Sequence, residues 1–363
     1  MRVINSNLSD GRELFYFDDK SSQLSAVRKA DTREAIERPA VAQMRLDSLT
    51  GEWVSIAAAR QNRAFLPPAH LCPLCPTTTD NLSEVPDNFD VAVFENKSPS
   101  FGPKLLSADD PNYSVIPNLE LGSVRDSVGR CEVVVFSQEH AGSLASQTTE
   151  RVRTIIDAWT HRTEHLQLLP GVRQVFPFEN RGQEIGVTLH HPHGQIYAYP
   201  YVTPRTSRLL DSISRFGNDL HAQTLAFEQA GQRVLVASEN FTAYVPFAAR
   251  WPLEIHLLPH RHVNSFVDLT EDERDELAVV YHLLLKGLDK IYDSPTPYIS
   301  AWHQAPLVDG GKNVRLQLQI TSPRRAADKL KYLAGSESAM GAFIGDLPPE
   351  TVAGILREAL GAL

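Results

Sequence analysis

HHPHGQIY, residues 190–197, is the stretch on which the reading of the fold turns. Extended to HPHGQIYAY (191–199), it alternates polar and apolar residues, the period of a half-buried strand. On such a strand His191, His193 and Gln195 project from one face. Pro192 removes a backbone donor and stiffens the segment, and Gly194 permits close approach by a ligand or another chain.

The chain repeats this unit. VRLQLQIT (314–321) has the same period of two. RCEVVVFSQEHAGSL (130–144) predicts an apolar strand ending at His140, and WPLEIHLLPHRHVNSF (251–266) one ending at His262. A helix follows each. The first carries Val152, Ile155, Ile156 and Trp159 at helical spacing; the second opens with Thr270 and Glu273 as a capping box and continues with Leu277, Val280 and Leu284. His191 lies 51 residues after His140, and Gln317 lies 55 after His262. Strand–helix–strand is common enough for chance to produce such a pair, but here order and spacing agree, and Gln317-Leu318-Gln319 stands where the first copy has His191-Pro192-His193. The expected fold is α+β, an antiparallel sheet built from two repeats with flanking helices. Residues 1–40 are expected as a polar, loosely packed arm, 41–225 as the first repeat and 226–363 as the second. Only the first copy keeps the imidazoles, so chemistry is expected there.

Composition narrows the function. The net charge of −9 argues against a nucleic-acid partner, since such proteins are more often basic. The longest apolar runs, such as Val133–Phe136, are strand-sized and too short to span a bilayer, so no membrane partner is expected. The first residues, MRVINSNLSDGRELF, lack the apolar stretch of a signal peptide. Three cysteines, Cys72, Cys75 and Cys131, make no disulfide framework, and a reducing, cytoplasmic setting is expected.

Two motifs carry chemistry. An imidazole titrates near pH 6.5, so it is largely neutral at physiological pH and can attack phosphorus; the resulting P–N bond is labile enough to pass the group on. This requires one ring nitrogen of His193 to donate to a fixed acceptor, such as a backbone carbonyl, freeing the other. Gln195 could then hold a phosphate oxygen without adding negative charge. A His-x-His pair on a strand is more often a metal clasp or a surface feature. Cys72-Pro-Leu-Cys75 could be redox-active, metal-binding or accidental. Its proline-rich surroundings disfavour a thioredoxin-type site. A zinc ion needs about four ligands, and His140 and His191 are candidates for the other two. Cys131, inside a strand, is expected as a small buried hydrophobe.

At these residues the chain resembles the galactose-1-phosphate uridylyltransferase family of the histidine-triad superfamily. LTGEWV, CPLC, FENKSP, VVVFSQEH, FENRGQEIGVTLHHPHGQIYA, VPFAARWPLEIHLLPHRHV, AWHQAP and KLKYLAGSE carry the resemblance, in the family's order. It implies a duplicated histidine-triad fold with a half-barrel sheet, and a ping-pong exchange of UMP between UDP-glucose and galactose 1-phosphate. His193 would be the nucleophile, Gln195 its partner, and Cys72, Cys75, His140 and His191 the ligands of a structural zinc. Asn96, Asn180, Gly186, Val187 and Thr188 fall on nucleotide-binding positions, though the asparagines also suit ordinary turns. Arg60 and Arg63 match basic positions near the site, or are a solvated charged loop. Lys331, Tyr332 and Glu337 match residues that reach across a homodimer to the sugar phosphate, or belong to a plain amphipathic helix. Some relatives carry iron on a glutamate and three histidines; here only His303 remains, with Gln317 and Gln319 in the later strand, so no iron is expected. Hydrogen bonds between those two amides are expected to hold the second repeat without a metal. His190, His256, His260 and His262 receive no role. The rival readings are a nucleotidyltransferase or phosphorylase acting on ADP-sugars or dinucleoside polyphosphates, and a non-catalytic nucleotide-binding scaffold.

Overall fold

The structure, a computed structural model, describes residues 1–35, 42–62, 65–102 and 121–363. Its strands are β1 (Arg2–Asn7), β2 (Glu13–Asp18), β3 (Gln43–Asp47), β4 (Glu52–Ile56), β5 (Val91–Glu95), β6 (Val124–Asp126), β7 (Arg130–Val135), β8 (Gln174–Arg181), β9 (His193–Tyr199), β10 (Val234–Ala237), β11 (Phe241–Tyr244), β12 (Leu253–Pro259), β13 (Tyr298–His303), β14 (Gln317–Ser322), β15 (Arg324–Ala326) and β16 (Lys329–Leu330). Its helices are α1 (Thr149–Leu166), α2 (Pro204–Phe216), α3 (Leu220–Gln229), α4 (Glu271–Leu288) and α5 (Pro349–Gly361).

Eleven strands form one sheet in the order β1-β2-β5-β7-β9-β8-β13-β14-β12-β11-β10, and β3, β4 and β6 form a small second sheet. Every pairing in the large sheet is antiparallel. The order is nearly symmetric about the β8–β13 seam: β9, β7 and β5 on one side answer to β14, β12 and β11 on the other. Each half is strand, helix, two strands: the expected strand–helix–strand unit with one further strand, β8 or β13, between the helix and the returning strand.

One core lies between the sheet and the two long helices. Val152, Ile155, Ile156 and Trp159 of α1 meet Leu277, Tyr281 and Leu284 of α4 over Ile196 and Ala198 of β9 and Leu318 and Ile320 of β14. Both helices begin on a threonine. Thr148 accepts from the amide of Arg151, and Thr270 forms the expected capping box with Glu273. The strands before them end earlier than expected, at Val135 and Pro259, rather than at His140 and His262. Prolines explain both. Pro192 cannot donate to extend the β7–β9 ladder beyond Val135, and Pro259 ends β12 with no donor of its own.

The N-terminal arm is not loosely packed. β2 carries Leu14, Phe15, Tyr16 and Phe17, all buried, and pairs with β5. Phe15 and Phe17 join the helix-side core, while Leu14 and Tyr16 pack on the opposite face with Cys72, Leu74 and Phe89. Arg12 and Arg33 both pair with Glu84, tying the arm to the loop that carries the cysteines. Cys131 is buried beside Met44 and Phe101, as expected of a small hydrophobe.

Candidate functional site

The alternation in β9 turns Ile196 and Ala198 to the core and His193 and Gln195 to the other face. Gly194 is required between them. A Cβ there would stand 2.8 Å from the Phe136 ring and 2.9 Å from the Phe178 carbonyl, so the close neighbour is the protein's own chain.

His193 and Gln195 open into a cavity of about 400 Å³ shared with Asn96, Thr188, Lys97 and Glu84. The His193 ring is fixed: its Nδ1 lies 2.7 Å from the His191 carbonyl oxygen. A carbonyl can only accept, so Nδ1 carries the hydrogen and Nε2 keeps its lone pair. Burial holds the pKa of His193 below the ordinary imidazole range, against the opposing pull of that hydrogen bond.

Next to it lies a cluster of two thiols and two imidazoles. The ligand atoms of Cys72, Cys75, His140 and His191 are all within 4.8 Å of one another. Sγ of Cys72 is 3.6 Å from His191 Nδ1, and Sγ of Cys75 is 3.5 Å from that nitrogen and 3.6 Å from His140 Nδ1. A tetrahedral zinc, with bonds of about 2.3 Å to sulfur and about 2.0 Å to nitrogen, separates its ligands by about 3.5 Å. The residues therefore fit such an ion. His191 also turns Nε2 to the Ser137 carbonyl at 2.7 Å, the outer bond that fixes a ligating imidazole. Without a cation, burial first and then Cys72 push the Cys75 thiol up to about 12; bound metal would reverse that preference.

The other residues singled out in the sequence are spread wider. Arg60 donates to Ser100 Oγ at 2.7 Å, outside the His193 cavity. Arg63 lies outside the described residues. Asn180 is on β8 opposite Ile299, and Gly186 ends a 3-10 turn with a φ of 84°. Neither of them, nor Val187, lines the cavity. Lys331 is buried in its own chain, donating to the Arg250 carbonyl at 2.9 Å, with Glu337 at 3.7 Å. Tyr332 is exposed, and the segment forms a short π-helical turn at Gly335–Ala339 rather than an amphipathic helix. Lys97 was missed by the sequence reading. Its signal was its place beside Asn96 in FENKSP, directly after β5.

In the second repeat the amides of Gln317 and Gln319 do not bond each other. Gln317 donates to His256 at 3.0 Å, and Gln319 accepts from Arg205. His256 also meets Glu254 at 2.9 Å. His260 lies 2.8 Å from Thr242 Oγ1, His262 lies 2.8 Å from the Lys312 carbonyl, and His190 meets Gln183 at 3.1 Å. His303 faces a second cavity together with both glutamines.

Comparison with known proteins agrees over nearly the whole length. Residues 31–203 match the family model for the galactose-1-phosphate uridyl transferase N-terminal domain, and residues 201–337 match that for the C-terminal domain. The chain is 40% identical to a galactose-1-phosphate uridylyltransferase of Streptomyces lividans, over 99% of this chain and 98% of that protein. A solved uridylyltransferase structure superposes with a TM-score of 0.76 at 30% identity, covering 88% of this chain and 99% of the other. An Arabidopsis thaliana ADP-glucose phosphorylase with bound ADP-glucose gives 0.65 at 26% identity, over 87% and 97%. On these matches the chain belongs to the galactose-1-phosphate uridyl transferase family.

Proposed function

We propose that the protein moves UMP between UDP-glucose and galactose 1-phosphate, with His193 as the temporary carrier. The single observation that supports this most is the bond from His193 Nδ1 to the His191 carbonyl, which leaves Nε2 as a free lone pair inside a cavity of nucleotide size. Nε2 attacks the α-phosphorus of UDP-glucose. The bond from that phosphorus to the bridging oxygen breaks, and glucose 1-phosphate leaves with the electron pair. The ring becomes cationic as the P–N bond forms, and its Nδ1–H strengthens the bond to His191. A phosphate oxygen of galactose 1-phosphate then attacks the same phosphorus. The P–N bond breaks, its electrons return to Nε2, and UDP-galactose departs. Gln195 and Thr188 offer neutral donors to the phosphate oxygens, and Lys97 a positive charge.

Cys72, Cys75, His140 and His191 would hold a zinc ion, which supplies a structural cross-link. The loop from Pro68 to Phe89 would then be fastened to the start of β9, two residues from His193. In a reducing, cytoplasmic compartment both thiols stay available for it. A homodimer is supported by a run of exposed side chains, Tyr332, Leu333, Met340, Phe343 and Ile344, in the segment expected to reach a partner.

The test is mass spectrometry after exposure to UDP-glucose alone. One uridylyl group per chain, mapped to His193, with one equivalent of glucose 1-phosphate released, is the expected result. Adenylylation from ADP-glucose in its place would favour the phosphorylase reading.

A further inference from the structure

A second cavity, about 500 Å³, lies between α2 and the second repeat, on the face of the sheet where β14 presents Gln317 and Gln319. It shares no lining residue with the His193 cavity. Four arginines enter it from separate elements. Arg205 and Arg208 come from the first turns of α2, Arg250 from the loop before β12, and Arg315 from the residues before β14. No aspartate or glutamate lines it.

Many arginines elsewhere in the chain are paired with carboxylates, as Arg12, Arg151, Arg162 and Arg233 are. Among the described residues none of these four forms such a pair. Three are instead held in place by neutral groups. Arg205 donates to Gln319 Oε1, Arg315 donates to the His260 carbonyl at 3.1 Å, and the Arg250 guanidinium lies 5.7 Å from the centre of the Phe343 ring. Arg208 has no side-chain hydrogen bond among the described residues.

Like charges gathered in one concavity repel, and the walls limit how well water screens them. Burial first, then Arg250, push the Arg205 pKa down, against the opposing pull of Glu254, whose carboxylate accepts from the Arg250 and Trp251 amides. Burial first, then Arg205 and His256, push that of His303 down to about 3. A cation brought here would meet four guanidinium groups and no anionic ligand. An anion would relieve the repulsion, and the forked donors of arginine match phosphate oxygens. The volume suits a small organic phosphate, and Trp251 adds a flat apolar wall against which a ring can lie.

We propose that this cavity binds a phosphorylated small molecule, a sugar phosphate or a nucleotide, at a site separate from the His193 cavity. The inference does not depend on the uridylyl-transfer reading. Titration calorimetry on the full chain at low salt tests it, using UMP and glucose 1-phosphate separately, on the wild type and on Arg208→Glu/Arg250→Glu. Two sites per chain are expected in the wild type. In the variant one of them is lost or weakened about tenfold or more per guanidinium removed. A second site for UMP identifies the ligand as a nucleotide, and one for glucose 1-phosphate as a sugar phosphate. Identical stoichiometry and affinity in both proteins would overturn the proposal. A parallel measurement needs no variant: phenylglyoxal should label Arg208 in the free protein, and bound ligand should protect it. Labelling of Arg208 that neither ligand changes would also sink the idea. Basal transfer activity of Arg208→Glu alone should match the wild type.

Discussion

β9 and β14 hold equivalent places on either side of the seam, yet they serve different chemistry. Both send alternate residues into the same core, Ile196 and Ala198 from one, Leu318 and Ile320 from the other. Their opposite faces diverge. β9 presents His193 and Gln195 beside a thiol–imidazole cluster. β14 presents two glutamines beside guanidinium groups that form no ion pair with a carboxylate among the described residues. The core-facing half of each strand specifies the fold, and the outward half is free to specify a ligand. A duplicated sheet can therefore keep its architecture while its two faces part ways.

The largest effect expected from this contrast is kinetic. His193→Ala should lower the rate of UDP-galactose formation by about 10⁴-fold or more. Gln317→Ala, at the matching start of β14, should leave most of the rate intact. Equal losses in the two variants would erase the distinction. Next comes the cluster beside β9. If the cluster holds zinc as proposed, Cys75→Ser should remove it from the purified protein, read by metal analysis, and lower stability by about 3 kcal/mol or more. Turnover should fall as well, through displacement of His193.

The seam itself gives a third test. Glu179 on β8 is buried and meets the hydroxyl of Tyr298 on β13 at 3.0 Å. Burial, outweighing the nearby Arg181, raises its pKa from 4.5 to about 7. A carboxyl raised in the folded state binds protons more tightly there than in the unfolded chain. Its stabilisation is complete below the unfolded value of 4.5 and is lost as pH rises through about 7. Glu179→Gln should flatten that dependence and stabilise the protein at pH 8 by up to about 3 kcal/mol, measured by denaturant unfolding. A pH dependence unchanged in the variant would remove Glu179 from the seam's energetics. The smallest effect belongs to the helix caps. Thr148→Ala and Thr270→Ala should each cost about 1 kcal/mol. A much larger loss at Thr270, which also shares Glu273 with Arg261, would show the second repeat to depend more on its cap.

The repeat was legible in the sequence because β9, β14, α1 and α4 each bury one face and so carry a clear period. The cysteine–histidine set was legible because three of its members stand in short motifs. β2 was not, because ELFYFD is buried on both faces and shows no alternation, and charged residues surround it. The arginine-lined cavity had no signal either. Its four guanidinium groups come from positions 205 to 315, and only the fold brings them together. The seat of Lys331 depends on Arg250, some eighty positions earlier, and no local pattern foretells such a bond.

The seam has a further consequence for how the chain is made. β8 leaves the first repeat with β9 on one side, and its other partner is β13, where Phe178 pairs with Ala301. A nascent chain that has emerged only as far as β9 therefore carries β8 as a bare edge, open to pairing with a neighbouring polypeptide. Synthesis must add about a hundred residues more before β13 can cover that edge, so the half-made chain exposes it for a long stretch of its synthesis.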